Sequence, residues 1–177
     1  EVWMTTKLAG QDTFFLPFNQ GDNGRAGNPP NPNGSATAYL WERILQRDTW
    51  LEILQKFVFL KKETVEDEHG RSRRKSTLIF PRFHQWEAVT TMLAAVREEG
   101  AGKSYLIEHS AGSGKTNTIA WTAHRLLSTY GADEQRVFDS VIVVTDRTVL
   151  DDQLQEAVRQ IERTSGTVVA VDRKNLG

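Results

Sequence analysis

The stretch from Ser104 to Thr116 limits most strongly what this 177-residue chain can fold into. It starts with a short apolar run typical of a strand, continues through a loop with glycines at 112 and 114, and ends where Lys115 and Thr116 open a helical pattern. Glycine lets the backbone turn tightly enough to point successive N–H groups at one place. The helix adds its own N–H groups and the positive end of its dipole. The stretch therefore predicts a cradle for phosphate groups.

Two side chains of this cradle have the chemistry that ATP and Mg²⁺ require. Lys115 supplies a compact positive charge for the β- and γ-phosphates, and the Thr116 hydroxyl suits a magnesium ion. The full pattern, Gly-x-x-x-x-Gly-Lys-[Ser/Thr], has its first glycine where this chain has His109. A glycine-rich turn that binds nothing is the alternative, but such a turn needs neither Lys115 nor Thr116. The residues predicted to hold the nucleotide here are Ser110, Ala111, Gly112, Ser113, Gly114, Lys115 and Thr116.

Composition excludes several classes of function. The length suits one domain with a core and part of another. There is no cysteine, which removes disulfides, thiolate zinc sites and thiol catalysis and is compatible with a reducing cytoplasm. No apolar run approaches membrane-spanning length, so we expect a cytoplasmic protein without a membrane partner. Net charge is −1, so any surface for nucleic acid must be local.

The second half of the chain alternates strand and helix patterns. A nearly continuous β-branched run at 141–145 and a shorter one at 167–171 flank a predicted helix at 149–161. Together with the phosphate cradle they predict an α/β fold with a parallel sheet and right-handed crossovers. Ligands bind at the carboxyl ends of such strands, so Thr145 and Arg147 are candidate DNA contacts. Helix capping and salt bridging by the same residues remain the alternative.

The first half predicts smaller elements. We expect a hairpin within 2–18, a loop at 19–34, and a helix over 38–59 that is broken by a cap at Asp48-Thr49. Strands are predicted at 57–62 and 76–80. The charged loop between them ends in a basic cluster, whose positive charge suits contact with a nucleic acid backbone. The basic cluster consists of Arg71, Arg73, Arg74 and Lys75. A solvated mobile loop, whose positive charge is partly neutralised by its own acidic residues, is the favoured interpretation of this segment.

Gln85 lies in the first turn of a helix predicted from Phe83 to Glu99. A glutamine side chain offers one acceptor and two donors, which match N6–H₂ and N7 of adenine. A surface glutamine in a first helical turn is commonplace. Because this one precedes a Gly-Lys-Thr loop by roughly 30 residues, we predict that it reads the adenine base.

Three segments resemble the Q motif, motif I and motif Ia of superfamily 2 helicases and translocases, in that order. They are Phe-Pro-Arg-Phe-His-Gln at 80–85, His-Ser-Ala-Gly-Ser-Gly-Lys-Thr at 109–116 and Val-Ile-Val-Val-Thr-Asp-Arg at 141–147. More narrowly, the chain resembles the motor (R) subunit of type I restriction enzymes, in which a histidine replaces the first glycine of motif I. Segments that extend this resemblance over nearly the whole chain lie at 4–10, 15–19 and 38–42.

The resemblance implies an architecture and a function. It implies the end of a nuclease region with a linker at 1–34, a helical connector plus strand pair at 35–80, and the first part of a RecA-like ATP-binding domain at 81–177. The fold class is thus a partial RecA-like P-loop domain preceded by a small α+β segment. As a complete protein, the family acts as a type I site-specific deoxyribonuclease that translocates double-stranded DNA. Its partners are methyltransferase (modification) and specificity subunits.

The resemblance also implies what these residues lack. Motif II, an Asp-Glu pair, the second RecA-like lobe and the nuclease Asp and Glu-x-Lys set have no counterpart in 1–177. We therefore expect the fragment alone neither to hydrolyse ATP at a useful rate nor to cut DNA. A small-molecule kinase, a non-catalytic interaction domain and a remodeller-type superfamily 2 motor remain alternatives.

Overall fold

The computed structural model describes residues 1–66, 70–131, 133–146, 148–161 and 169. The chain divides into two compact units, Glu1–Glu87 and Ala88–Gly177. Within the described ranges, no helix is both long enough and apolar enough to cross a membrane.

The first unit begins with a short antiparallel pair, strands β1 (Trp3–Met4) and β2 (Leu16–Pro17). A single 3-10 turn, Gly10–Asp12, lies between them. The hairpin predicted from the sequence is therefore confirmed, but its ladder is shorter than the β-branched run suggested. A pair this short depends on other contacts, and one is the 2.8 Å hydrogen bond from the Val2 amide to Asn19 Oδ1.

Helical structure follows in three pieces. A π-helical turn (Leu40–Ile44) is separated from helix α1 (Arg47–Glu52), which runs directly into a second π-helical turn (Ile53–Phe57). The predicted break is present, but the predicted cap at Asp48-Thr49 is wrong. Gln46 is the N-cap residue by its extended backbone, and its side chain makes no capping hydrogen bond to the helix but donates to the Trp41 carbonyl.

Strands β3 (Phe59–Glu66) and β4 (Ser72–Ile79) form an antiparallel hairpin with eight residue pairs. The sequence predicts shorter strands here and a charged loop from 63 to 75. That prediction is wrong in extent, since most of the charged residues lie in the ladder. Strand propensity is weak for Lys, Arg and Glu, so cross-strand pairing decides the structure of this segment.

An aromatic cluster forms the core of the first unit. The Phe83 ring lies 5.8 Å from that of Phe18, 5.2 Å from that of Tyr39 and 5.6 Å from that of Trp86, measured between centroids. The Arg43 guanidinium stacks on Phe83 and Trp86 and forms a 3.3 Å salt bridge with Glu87. The cluster therefore anchors the first turn of helix α2 (Phe83–Glu99) to the preceding segments.

Tyr39 carries a polar contact inside this cluster. Its hydroxyl donates to the Phe18 carbonyl, and burial raises its pKa above the ordinary value of 10.0. Replacing Tyr39 with phenylalanine is expected to cost about 1 kcal/mol of unfolding free energy at pH 7, because the buried carbonyl loses its donor. The raised pKa means that the unfolded chain ionises first, so this stabilisation decreases as pH rises above 10.0.

Urea unfolding of both proteins at pH 7 and at pH 10.5 checks this expectation. The difference between them should shrink at the higher pH. Tyr130→Phe is the control, since Tyr130 is 51% exposed and its replacement should change stability by less than about 0.5 kcal/mol. An equal effect of both variants would contradict the role given to Tyr39.

The second unit is built on helices. Helix α2 has the bounds that the sequence predicts, and the predicted apolar stripe is buried; it consists of Trp86, Val89, Leu93 and Val96. Helices α3 (Lys115–Leu127) and α4 (Thr148–Ile161) pack against each other. Trp121 of α3 is fully buried, and His124 Nε2 lies 2.7 Å from the Val158 carbonyl of α4. A ring nitrogen must donate to a carbonyl, so His124 carries a proton on Nε2.

The predicted parallel sheet is not present among the described residues, whose strands form two antiparallel pairs. Residues 103–110 and 141–145 belong to no strand, and 167–171 lies outside the description except for residue 169. Parallel strands are stable when neighbours pair with them and both faces are covered. Here Leu106 is 92% exposed and Val144 is 86% exposed, so neither run has that cover. The described fold is therefore mixed α/β without the parallel arrangement.

Candidate nucleotide-binding site

The phosphate loop has the backbone geometry that the sequence predicts. Gly112 has φ of +71° and Gly114 has φ of +82°, both in the left-handed region that side-chain-bearing residues avoid. Gly114 is the N-cap of α3 and has no side chain to cover the first N–H groups of the helix. The loop therefore delivers a helix N-terminus whose amides and dipole favour an anion.

Lys115 is bound to its own loop. Its Nζ donates to the His109 carbonyl at 3.0 Å and to the Ser110 carbonyl at 2.8 Å, and the side chain is exposed. An ammonium group has three donors, so these two contacts orient it without exhausting it. Hydrogen bonds to an anionic phosphate oxygen are stronger than those to neutral carbonyls. Replacing a loop carbonyl with a phosphate oxygen would therefore strengthen a hydrogen bond of Lys115.

A cavity of about 450 Å³ opens beside the loop. This volume is within the range of small-molecule sites. Thr116 is half-buried at its wall. The lining residues are Gly112, Gly114, Lys115, Thr116, Ile119, Thr145 and Leu154.

The structure assembles only part of the predicted site. Ser110 and Ala111 are exposed on the loop, and Ser113 is buried beneath it. Thr145, predicted as a DNA contact, lines the cavity beside the phosphate loop. Arg147 lies outside the described residues.

Gln85 belongs to the first unit and is 3% exposed. Its Oε1 accepts the Arg82 amide N–H at 2.9 Å, so it fixes the start of α2 in the manner of a capping residue three positions into a helix. A carbonyl oxygen has a second lone pair, so this bond is compatible with a further donor. Adenine recognition by Gln85 stays a prediction.

Two cavity residues were missed from the sequence. Ile119 lies one turn after Lys115 on α3 and is 40% exposed, and Leu154 comes from α4. The sequence carries a usable signal for Ile119, because an apolar residue on the outward side of a helix just after a phosphate loop indicates a binding surface. Leu154 carries no such signal, because only the packing of α4 against α3 brings it to the cavity.

No group of three or more His, Asp or Glu side chains able to hold a metal occurs in the part of the chain that the structure describes. Among the residues that line the cavity, Thr116 and Thr145 carry hydroxyls. Mg²⁺ in nucleotide sites commonly takes one or two protein ligands, with phosphate oxygens and water filling the remainder. The residues present therefore fit a magnesium ion that arrives with a nucleotide.

A loop with these two glycines, a lysine and a helix N-terminus beside a cavity defines the class of the chain as a candidate ATP-binding protein. The sequence model of the SWI2/SNF2 ATPase family matches residues 84–176, more than half of the chain. The chain belongs to the SWI2/SNF2 ATPase family.

Two curated relatives point to a narrower group. The chain is 31% identical over 122 residues to the protein named "Putative type I restriction enzyme MjaVIIP endonuclease subunit" of Methanocaldococcus jannaschii. It is 28% identical over 111 residues to the type I restriction enzyme HindI endonuclease subunit of Haemophilus influenzae. These alignments cover 67% and 63% of this chain but only 10% of each relative. They confirm the resemblance to type I restriction enzyme subunits. No solved structure matches the chain.

Proposed function

We propose that this chain is the ATP-binding part of the motor subunit of a type I restriction enzyme. The complete protein would translocate double-stranded DNA and cleave it as a type I site-specific deoxyribonuclease. One observation carries the proposal: Lys115 and Thr116 line a single cavity at the N-terminus of α3, in a chain similar to type I restriction endonuclease subunits. By this proposal the isolated 177 residues bind ATP and leave its hydrolysis to groups elsewhere in the complete protein.

The loop binds the triphosphate through its backbone and Lys115. The positive φ angles of Gly112 and Gly114 suit a loop that turns its peptide N–H groups toward a bound phosphate. Lys115 moves from the His109 or Ser110 carbonyl to the β- and γ-phosphates. Thr116 holds Mg²⁺, which neutralises phosphate charge when it is bound. Ile119 and Leu154 give the cavity an apolar wall.

Adenine selection is assigned to Gln85. The hydrogen bond from the Arg82 amide fixes the orientation of its amide plane, which favours one base-pairing edge over another. A hydrogen-bonding site discriminates strongly because a wrong base leaves buried polar groups unpaired. ATP should therefore bind more tightly than GTP to a protein that brings Gln85 to the nucleotide.

The DNA-directed part of the proposal concerns Thr145 and Arg147 at the end of the predicted motif Ia strand. We propose that the apolar runs at 104–108 and 141–145 are strands of a RecA-like lobe in the longer protein, because their exposed Leu106 and Val144 need neighbouring strands and helices. The partners would be duplex DNA and the modification and specificity subunits, in the cytoplasm.

Nucleotide binding and turnover together test the proposal. A fluorescent ATP analogue with Mg²⁺ should bind the 177-residue chain saturably, and ATP should displace it. The chain should show no turnover, whereas the complete subunit assembled with its partner subunits should hydrolyse ATP faster when duplex DNA is added. No binding by the chain, or turnover stimulated by a small-molecule phosphate acceptor rather than by DNA, would refute the proposal.

A further inference from the structure

The β3–β4 hairpin presents cations on both of its faces. Its strands carry five Lys and Arg residues but only two carboxylates, Glu63 and Glu66. From Ser72 to Ser76 every residue of β4 is exposed, so the outer half of this strand is accessible to solvent on both faces. The basic residues that appeared in the sequence as part of a mobile loop are therefore held in a regular ladder.

The register separates these cations by face. Lys62 pairs with Ser76, and Thr64 pairs with Arg74. Lys62 and Arg74 are therefore diagonal neighbours on one face, a position for which the Cα atoms are about 7–8 Å apart. Glu63 pairs with Lys75 and Val65 with Arg73 on the other face. Each face thus offers at least two basic side chains at fixed spacing.

The hairpin's internal ion pairs leave an excess of positive charge. Glu63 lies 2.7 Å from Lys61 Nζ and 3.8 Å from Lys75 Nζ, and the Lys61 contact lowers the pKa of its carboxyl. That single carboxylate faces two lysines. Arg73 extends the same face beyond them. The sequence places Asp67 and Glu68 in the connection between the strands, outside the described residues.

We propose that the β3–β4 hairpin docks on duplex DNA as a two-stranded ribbon whose faces contact the two phosphate backbones beside the major groove. The major groove admits a two-stranded ribbon. In the proposed orientation the ribbon enters edge-on, with one strand toward the groove floor, so that each face is turned to one backbone and both faces need cations. Hydroxyls at Thr64, Ser72 and Ser76 add donors of the type that proteins use on phosphate oxygens. This proposal adds a DNA-binding surface to the proposed function, and it depends on that function for the identity of the partner, duplex DNA.

The salt dependence of DNA binding tests the ribbon. Fluorescence anisotropy with a labelled duplex, from 50 to 200 mM KCl, compares the 177-residue chain with its Arg73→Glu/Arg74→Glu variant. Loss of two phosphate contacts should weaken binding about tenfold or more and make the slope of log K against log salt shallower by about 1.8. The control is Arg47→Glu/Lys56→Glu, which changes net charge equally at exposed positions off the hairpin and should weaken binding less than threefold.

Three results would overturn the ribbon: no DNA binding by the unaltered chain, equal loss in both double variants, or equal affinity for duplex RNA. The last comparison reports groove geometry, because the major groove of A-form RNA is too narrow for side chains to enter. Arg73→Gln/Arg74→Gln, which removes charge without repelling the strands, should give a smaller loss in the same direction. Binding of the ATP analogue should be unchanged in every variant, so failure of ATP binding and failure of the ribbon are separate outcomes.

Discussion

Replacing Lys115 with alanine is expected to lower DNA-stimulated ATP hydrolysis by the complete subunit at least about a hundredfold, the loss typical of removing one preorganised donor from a developing anion. The structure gives the reason in two parts. The ammonium group is held at the loop by the His109 and Ser110 carbonyls, so it is positioned before the nucleotide arrives. Alanine at this position leaves the helix N-terminus to bind the phosphates without a full positive charge.

The measurement is kcat and KM for ATP at saturating DNA. Lys103→Ala is the matched control, because Lys103 is an exposed lysine of the same unit that does not line the cavity. It should leave both constants unchanged within a factor of about two. Hydrolysis by the Lys115 variant within threefold of the unaltered subunit would show that the nucleotide binds elsewhere.

Replacing Trp121 with alanine is expected to cost about 3–5 kcal/mol of unfolding free energy. Trp121 is 0% exposed and is among the largest fully buried side chains of the described residues. It lies on α3, whose N-terminus carries the phosphate loop, so its loss opens a cavity in the packing of the helix that presents this loop.

Urea unfolding followed by circular dichroism measures this effect. With a slope of about 1–3 kcal/mol per molar urea, the midpoint should fall by at least about 1 M. Trp41→Ala is the matched control, since Trp41 is 51% exposed and its loss should cost less than about 1 kcal/mol. Similar midpoints for the two variants would mean that Trp121 does not anchor the helix.

Local pattern was enough for helices α2 and α4 and for the glycines of the phosphate loop. The bounds of α2 and the beginning of α4 follow from apolar spacing and from Pro81, and both agree with the structure within a residue. The left-handed backbone at Gly112 and Gly114 follows from residue type, because few other residues adopt it. These features depend on neighbours three or four positions away, which a sequence displays directly.

The strands were harder to predict, because strand pairing depends on residues that are far apart in the sequence. Strand propensity predicted the β-branched run at 141–145 as a strand, yet Ile142 and Val144 are exposed and unpaired within the described residues. The charged segment 63–75 was predicted as a loop, yet much of it pairs in the β3–β4 ladder. Pairing depends on a partner that is distant in sequence, so neither propensity nor charge decides by itself which segments pair.

By itself, the sequence determined which residue types form the phosphate loop, a lysine and a threonine behind two glycines, and which further segments resemble superfamily 2 motifs. Tertiary structure decided which side chains join that loop. It brought Thr145 and Leu154 to the cavity, and it arranged the basic cluster on the two faces of one hairpin. Residue type fixes what a group can bind, whereas which groups meet depends on packing between segments that are far apart in the chain.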